Sequence, residues 1–328
     1  MQKILIIRFS SIGDIVLTSP VVRCLKKQIP NSEIHFLTKS SFKSVLANNP
    51  YLTKVWTFSN DLDEVLPSLK LENFDFVIDL HKNIRSRKVV LTLGVKTFAF
   101  DKLNIQKWML VNLKINKLPA IHIVDRYLKT VASLGVVNDN QGLDYFISDA
   151  DIVPLRKIPE KFHAGFVAFV IGAKHGTKVF PVNKLLEVIE QLDMPIVLLG
   201  GKEDRERGEE IVNASKKDIW NTCGEFSLNQ SASLLQQSKV VVANDTGLMH
   251  IAAAFKKPIV SIWGNTIPEF GMTPYEPQHE EQLKLFQISN LSCRPCSKIG
   301  FDSCPMKHFK CMNDISSVEV AESIKHLY

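Results

Sequence analysis

Three short polar clusters hold the residue types that could do chemistry. The first is Asn244-Asp245-Thr246-Gly247-Leu248-Met249-His250, set between apolar runs at 239–243 and 259–263. Asp245, Thr246 and Gly247 suit a helix start, where side chains cap free N–H groups and glycine admits a ligand to the backbone. Those N–H groups favour an anion such as a diphosphate. His250 follows one helical turn later, on the same side, where it could donate to a phosphate or a sugar. A satisfied core histidine is the competing reading.

The second cluster is residues 172–181, Gly-Ala-Lys-His-Gly-Thr-Lys-Val-Phe-Pro. Lys174, Thr177, Lys178 and two glycines between a strand and a helix make a diphosphate cradle, against the alternative of a lysine-bearing surface loop. The third is Ser10-Ser11-Ile12-Gly13-Asp14, after the first apolar run. It is too sparse in glycine for a dinucleotide fingerprint and lacks the Gly-Lys-Ser/Thr ending of a P-loop. Asp14 reads either as a helix cap or as a carboxylate able to act as a general base.

The elements that must position these clusters alternate. Strands are expected at 4–9, 33–38, 55–58 and 74–80, with helices at 15–27 and near 42–48. After a polar stretch at 148–161 containing Pro154 and Pro159, the pattern restarts. Strands at 166–171, 195–199, 239–243 and 259–263 alternate with helices at 182–191, 203–214 and 228–237. Such alternation predicts parallel sheets covered on both faces. The economical reading is an α/β chain of two doubly wound domains, 1–155 and 156–328, with a ligand cleft between facing strand ends.

Size and composition agree. The chain has 328 residues, 45% hydrophobic and 23% charged, as in ordinary globular proteins. No apolar run reaches the roughly 20 residues that span a bilayer. The first eight residues read as a buried strand rather than a signal peptide, so a cytoplasmic protein is expected. Residues 1–150 hold 20 Lys+Arg against 13 Asp+Glu, and the remainder 20 against 21. The positive first half should meet an anionic partner, the alternative being a solvated lysine-rich face.

Residues 10–20, Ser-Ser-Ile-Gly-Asp-Ile-Val-Leu-Thr-Ser-Pro, resemble the opening of glycosyltransferase family 9, the ADP-heptose:lipopolysaccharide heptosyltransferases and their relatives. Residues 244–254 resemble that family's second motif, and Ser261-Ile262-Trp263-Gly264-Asn265-Thr266 continues it. The likeness covers nearly the whole chain in order. It implies a GT-B fold of two Rossmann-like domains, with acceptor bound by the first and donor by the second. It further implies inverting transfer from a nucleotide-diphospho-sugar, ADP-heptose first among them, with no metal required for catalysis. The family's proposed base falls on Asp14, its diphosphate-contacting lysine on Lys178 and its nucleotide-binding acid on Glu203. A carboxylate at Glu203 can accept from ribose hydroxyls, whereas Asp204 reads as a helix cap. Asp245, Thr246, Gly247 and His250 complete the donor set.

The implied acceptor is an anionic, lipid-linked saccharide of the lipopolysaccharide inner core, which would bring the enzyme to the cytoplasmic face of the inner membrane as a peripheral protein. Ser11 and Gly13, with Lys82, Arg85 and Arg126, are the acceptor candidates, arginine forking to carboxylates and phosphates. Asp125 and Arg126 also read as hinge organisers. Cys293, Cys296, Cys304 and Cys311, spaced Cys-x2-Cys-x7-Cys-x6-Cys, could supply four thiolates to a structural zinc or remain free thiols. Rival readings are another nucleotide-sugar enzyme such as an epimerase, an inactive nucleotide-sugar binder, or a nucleic-acid binder. The last predicts aromatic residues interleaved with basic ones on one face. The aromatics here follow strand and helix cores instead, so nucleic acid is not an expected partner.

Overall fold

A computed structural model describes residues 2–328 of the chain. Two compact units emerge. The first runs to Lys102 and adds Ile121–Phe146; the second comprises Leu103–Ala120 and Ile147–Tyr328.

The first unit is one parallel sheet of five strands: β1 (Lys3–Ile7), β2 (Glu33–Lys39), β3 (Lys54–Phe58), β4 (Phe76–Asp79) and β5 (Lys96–Ala99). Their order is β3-β2-β1-β4-β5. Central β1 is an unbroken apolar run because helices cover both faces of a parallel sheet. It pairs Ile4 with Ile34 on one side and Phe76 on the other. Leu5, Ile7, Phe9, Leu37, Phe58 and Val77 fill one core layer.

The second unit is a six-stranded parallel sheet: β6 (Val167–Val170), β7 (Ile196–Leu199), β8 (Ile219–Asn221), β9 (Val240–Asn244), β10 (Ile259–Trp263) and β11 (Leu283–Gln287). The order is β11-β10-β9-β6-β7-β8. Helix Ser317–Leu327 contributes Val320, Ala321 and Ile324 to its core beside Val188, Ile189 and Leu192.

In each sheet the strand order reverses once, between β1 and β4 in the first and between β6 and β9 in the second. A crevice opens there at the carboxyl ends of the strands, because the flanking connections leave toward opposite faces. The chemistry-bearing clusters follow β1, β6 and β9, which border these two crevices.

Two details depart from expectation. The single helix expected over 15–27 is two, Ile12–Val16 and Ser19–Gln28. Pro20 starts the second, where a proline costs no hydrogen bond. The boundary between units also falls at Phe146 rather than 155. Val153 N–H donates to Ser233 Oγ at 3.0 Å and Asn229 donates to Asp151 at 3.0 Å, which bind residues 151–153 to the second sheet's helices. Helix Asn104–Leu113 joins the second unit because Leu110 packs with Ile267 and Phe270.

Candidate functional site

At the first crevice, the chain leaves β1 through Arg8 and Phe9 and turns into helix Ile12–Val16. Asp14 sits in that helix's first turn. Its Oδ2 accepts from Ser11 N–H at 3.2 Å and from Ser11 Oγ at 2.7 Å, while its Oδ1 lies 2.6 Å from Arg8 Nη2. Cap and charged partner thus coexist in one carboxylate. Gly13 is buried in the same turn and Ser11 is exposed.

Arg8 is the residue that sequence reading missed. Its Nη1 donates to Leu80 O at 2.6 Å and Tyr127 Oη at 3.0 Å, and its Nε to Ser10 O at 2.8 Å. One guanidinium therefore joins the loop after β1 to the loop after β4. The available signal was a charge where a buried strand runs on into apolar Phe9. Burial would raise the Asp14 pKa, but the Arg8 charge and the Ser11 donors outweigh it and hold the carboxyl below its usual range. Asp14 is therefore ionised at neutral pH, the state a proton acceptor requires.

Around this pair stand further titratable groups. His81 lies on the Phe9 ring at 4.7 Å. Burial and the Arg8 and Lys102 charges push its pKa down to about 3, so the imidazole is neutral. Its buried Nδ1 has no hydrogen-bond partner among the described residues. Lys102, also missed from sequence, has its pKa lowered by burial and by Arg8, with Asp79 and Asp14 opposing. Asp79 shapes the β4 turn: Oδ1 accepts from His81 N–H at 2.9 Å and Lys82 N–H at 2.7 Å, and Oδ2 from Ser86 Oγ at 2.7 Å. Lys82 and Arg85 are exposed on this turn. Arg126 differs from its expected role. It is only 5% exposed and reaches inward, with Nη1 3.5 Å from Asp101 O.

The second crevice brings the β6 and β9 loops together. Lys178 Nζ lies 2.6 Å from Asp245 Oδ2, which also accepts from Thr266 Oγ1 at 2.8 Å. Asn244, ending β9, accepts from Phe180 N–H at 3.2 Å and donates to Val170 O at 3.3 Å, fixing the two loops to each other. Thr246 occupies the N-cap position of helix Gly247–Ala254 without a capping bond, and its buried hydroxyl has no partner among the described residues. The first-turn N–H groups of that helix have no intrahelical acceptors. A lysine ammonium, an orphan hydroxyl and a helix N-terminus make an anion-binding constellation.

Lys174 is exposed and makes no hydrogen bond or ion pair with the described residues. Glu203 is exposed beside the β7 loop, while neighbouring Asp204 is buried, accepting from Gly201 N–H at 2.9 Å and from Arg207 at 2.7 Å. The two acids therefore divide the roles, Asp204 capping and Glu203 facing solvent. Asp204 also explains Gly172, where a Cβ would fall 1.9 Å from its carboxylate.

Two expected contacts are turned inward. His250 is 2% exposed. Thr177 is 2% exposed, and its atoms serve a clasp. Its N–H donates to Phe301 O at 3.0 Å, its Oγ1 accepts from Phe301 N–H at 2.9 Å, and its hydroxyl faces Asn265 Oδ1 at 3.1 Å. Phe301 belongs to the cysteine-rich loop, which is anchored a second time by buried Arg294. That guanidinium donates to Gly264 O, Trp263 O at 3.1 Å, Thr266 O at 2.7 Å, Ile288 O at 2.8 Å and Gln287 Oε1 at 2.8 Å. All five of its N–H donors are used.

Cys293, Cys296, Cys304 and Cys311 of that loop, read from sequence either as zinc ligands or as free thiols, form no disulfide. Among the described residues, no three His, Cys, Asp or Glu side chains are arranged to hold a metal ion. Cys293 faces His308 Nε2 at 3.8 Å. Burial, reinforced by neighbouring sulfurs, pushes Cys296 up to about 11 and Cys311 up to about 12, so both stay protonated thiols.

In sequence and in fold the chain is similar to known glycosyltransferases. The profile of glycosyltransferase family 9 (heptosyltransferase) matches residues 64–302. A Campylobacter coli lipopolysaccharide heptosyltransferase 1 is 26% identical over 81% of this chain and 84% of its own. The solved family 9 glycosyl transferase of Veillonella parvula superposes with a TM-score of 0.79 at 21% identity, covering 99% of this chain and 97% of that one. Escherichia coli heptosyltransferase WaaC, solved with ADP, gives 0.71 at 20% identity over the whole of both chains.

Proposed function

We infer the reaction from one premise: the chain belongs to glycosyltransferase family 9, the heptosyltransferases. It is a glycosyltransferase with the two-sheet architecture of the GT-B fold. We propose that it moves a heptose from ADP-heptose to an anionic saccharide of the lipopolysaccharide inner core, with inversion and without a metal. The observation that carries this reading is that the first unit holds an ionised, Arg8-held Asp14 and the second, described by itself, a Lys178–Asp245 anion site.

In this reading the donor diphosphate lies on the first turn of helix Gly247–Ala254. Lys178 Nζ has three protons, of which Asp245 takes one and leaves two for phosphate oxygens. The leaving group gains negative charge as the glycosidic bond breaks, and fixed donors and an ammonium stabilise it. Thr246 Oγ1 adds a donor, and Lys174 a second cation. Glu203 accepts from the ribose. That the Escherichia coli relative was solved with ADP supports an adenine donor here.

The acceptor hydroxyl gives its proton to Asp14 as its oxygen attacks the anomeric carbon from the face opposite the diphosphate. The transition state is oxocarbenium-like. Lys82, Arg85 and Lys102 supply charge for acceptor carboxylates and phosphates, with Ser11 at the rim.

A calorimetric titration with ADP, ADP-heptose, UDP and GDP, without added metal, tests the reading. Selective binding of the adenine compounds is expected. Preference for another nucleotide would replace the donor, and no binding by any would remove the nucleotide-sugar reading. Elemental analysis of the same protein checks the cysteines: stoichiometric zinc would require the 293–311 loop to rearrange around it.

A further inference from the structure

Helix Asn104–Leu113 has two apolar faces, and only one is used. The inner face packs Leu110, with Val111 and Leu118, against Ile267 and Phe270. Lys107 lies 5.8 Å from the Phe270 ring, and Lys114 Nζ holds Cys293 O at 3.2 Å and Pro295 O at 2.9 Å. The helix is thereby fixed to the second unit. Its other side carries Ile105 at 72% exposed, Trp108 at 53% and Leu113 at 52%, followed by Ile115 at 44%. Four large apolar side chains left in water within eleven residues is unusual for a globular surface, where such residues occur singly.

Charge narrows what covers them. Residues 102–118 contain Lys102, Lys107, Lys114 and Lys117 and no aspartate or glutamate. Apolar side chains with a tryptophan among them, bordered by lysines alone, match the boundary between acyl chains and anionic headgroups. A ten-residue helix is about 15 Å long, half the hydrocarbon thickness, so it would lie along that boundary and not cross it. No helix among the described residues is long and apolar enough to span a bilayer.

We propose that the outward face of residues 104–115 is a membrane-docking surface for anionic phospholipid. Ile105, Trp108, Leu113 and Ile115 enter the acyl boundary, and exposed Lys117 beyond the helix meets lipid phosphates. The proposal rests on the lipid-linked acceptor of the preceding reading for its purpose, but Ile105, Trp108, Leu113 and Ile115 are not among the residues placed in the donor or acceptor sites.

The test is flotation of the full chain with vesicles of phosphatidylethanolamine, phosphatidylglycerol and cardiolipin, and with phosphatidylcholine vesicles as the neutral control. The wild type should float with the anionic vesicles. The double variant Ile105→Ser/Trp108→Ser should lose about ten-fold or more of that partitioning, while its ADP titration stays unchanged. A second variant, Trp108→Phe, should still float but lose quenching of tryptophan fluorescence by brominated acyl chains.

Wild-type protein that ignores anionic vesicles would overturn the proposal. So would serine variants that float as well as wild type, or a wild-type dimer that the serine variants abolish, which would give the face to a second copy of the chain. Failure of the nucleotide titration in wild type would strike the glycosyltransfer reading and leave the flotation result standing.

Discussion

Asp14 and Arg8 form a pair whose chemistry is set by their contacts. Because the Arg8 guanidinium and Ser11 keep the carboxyl pKa low despite burial, Asp14 is ionised across the neutral range. Activity should therefore hold as pH falls and fail only below the usual carboxylate range. Arg8→Met removes the dominant opposing charge, so burial prevails and the acid limb of the kcat/KM profile should move to higher pH. An unmoved limb would mean that Asp14 is not the titrating group. Asp14→Asn should lower kcat by about a hundred- to ten-thousand-fold with ADP affinity retained. Lys178→Met should act on the other substrate, raising donor KM while leaving acceptor KM unchanged, as measured by varying each substrate in turn. Asp14 and Lys178 stand out as candidates in the sequence because each sits in a short motif after an apolar run. Arg8 and Lys102 were not, since their role arises from β1 and β4 lying side by side although 72 residues separate Arg8 from Leu80.

At the level of elements, the cysteine-rich loop is a strut for the second crevice. Arg294 holds the carbonyls of Trp263, Gly264 and Thr266, and Thr266 in turn holds Asp245. Arg294→Met would leave those buried acceptors unmet, at a stability cost of roughly 3 kcal/mol or more. It should also weaken ADP binding, read by calorimetry at a temperature where the variant is fully folded. Arg294→Lys should not restore either property, because an ammonium cannot replace a five-donor fork. If ADP affinity is unchanged, the loop stabilises the fold without shaping the site. The strands escaping sequence reading were β5, β8 and β11, all at sheet edges and only partly buried. Their sequences lack the unbroken apolar runs of β1, β6 and β9, since one flank of an edge strand faces no neighbour. Helix Leu228–Gln237 and strand Ile259–Trp263, both central, matched their expected bounds.

For the molecule as a whole, the partition of the chain is not the partition of the sequence. The polar stretch at 148–161 looked like a linker, yet it is pinned to the second sheet, and residues 103–120 leave the first unit to pack in the second. No local composition marks that excursion; it depends on Leu110 meeting Phe270. A fragment of residues 147–328 alone should consequently expose Ile267 and Phe270, and should be less stable to heat than the same fragment with residues 103–120 supplied by fusion. Equal melting temperatures would show that the helix contributes nothing to that unit. The excursion also sets an order of events during synthesis. Helix Asn104–Leu113 leaves the ribosome about 150 residues before its partners, an interval of roughly 8–30 s at ordinary elongation rates. Until then its inner face is as uncovered as its outer one. Nascent chains arrested short of residue 267 should be captured by chaperones or cut by proteases at 103–120, whereas chains released after residue 328 should be protected there.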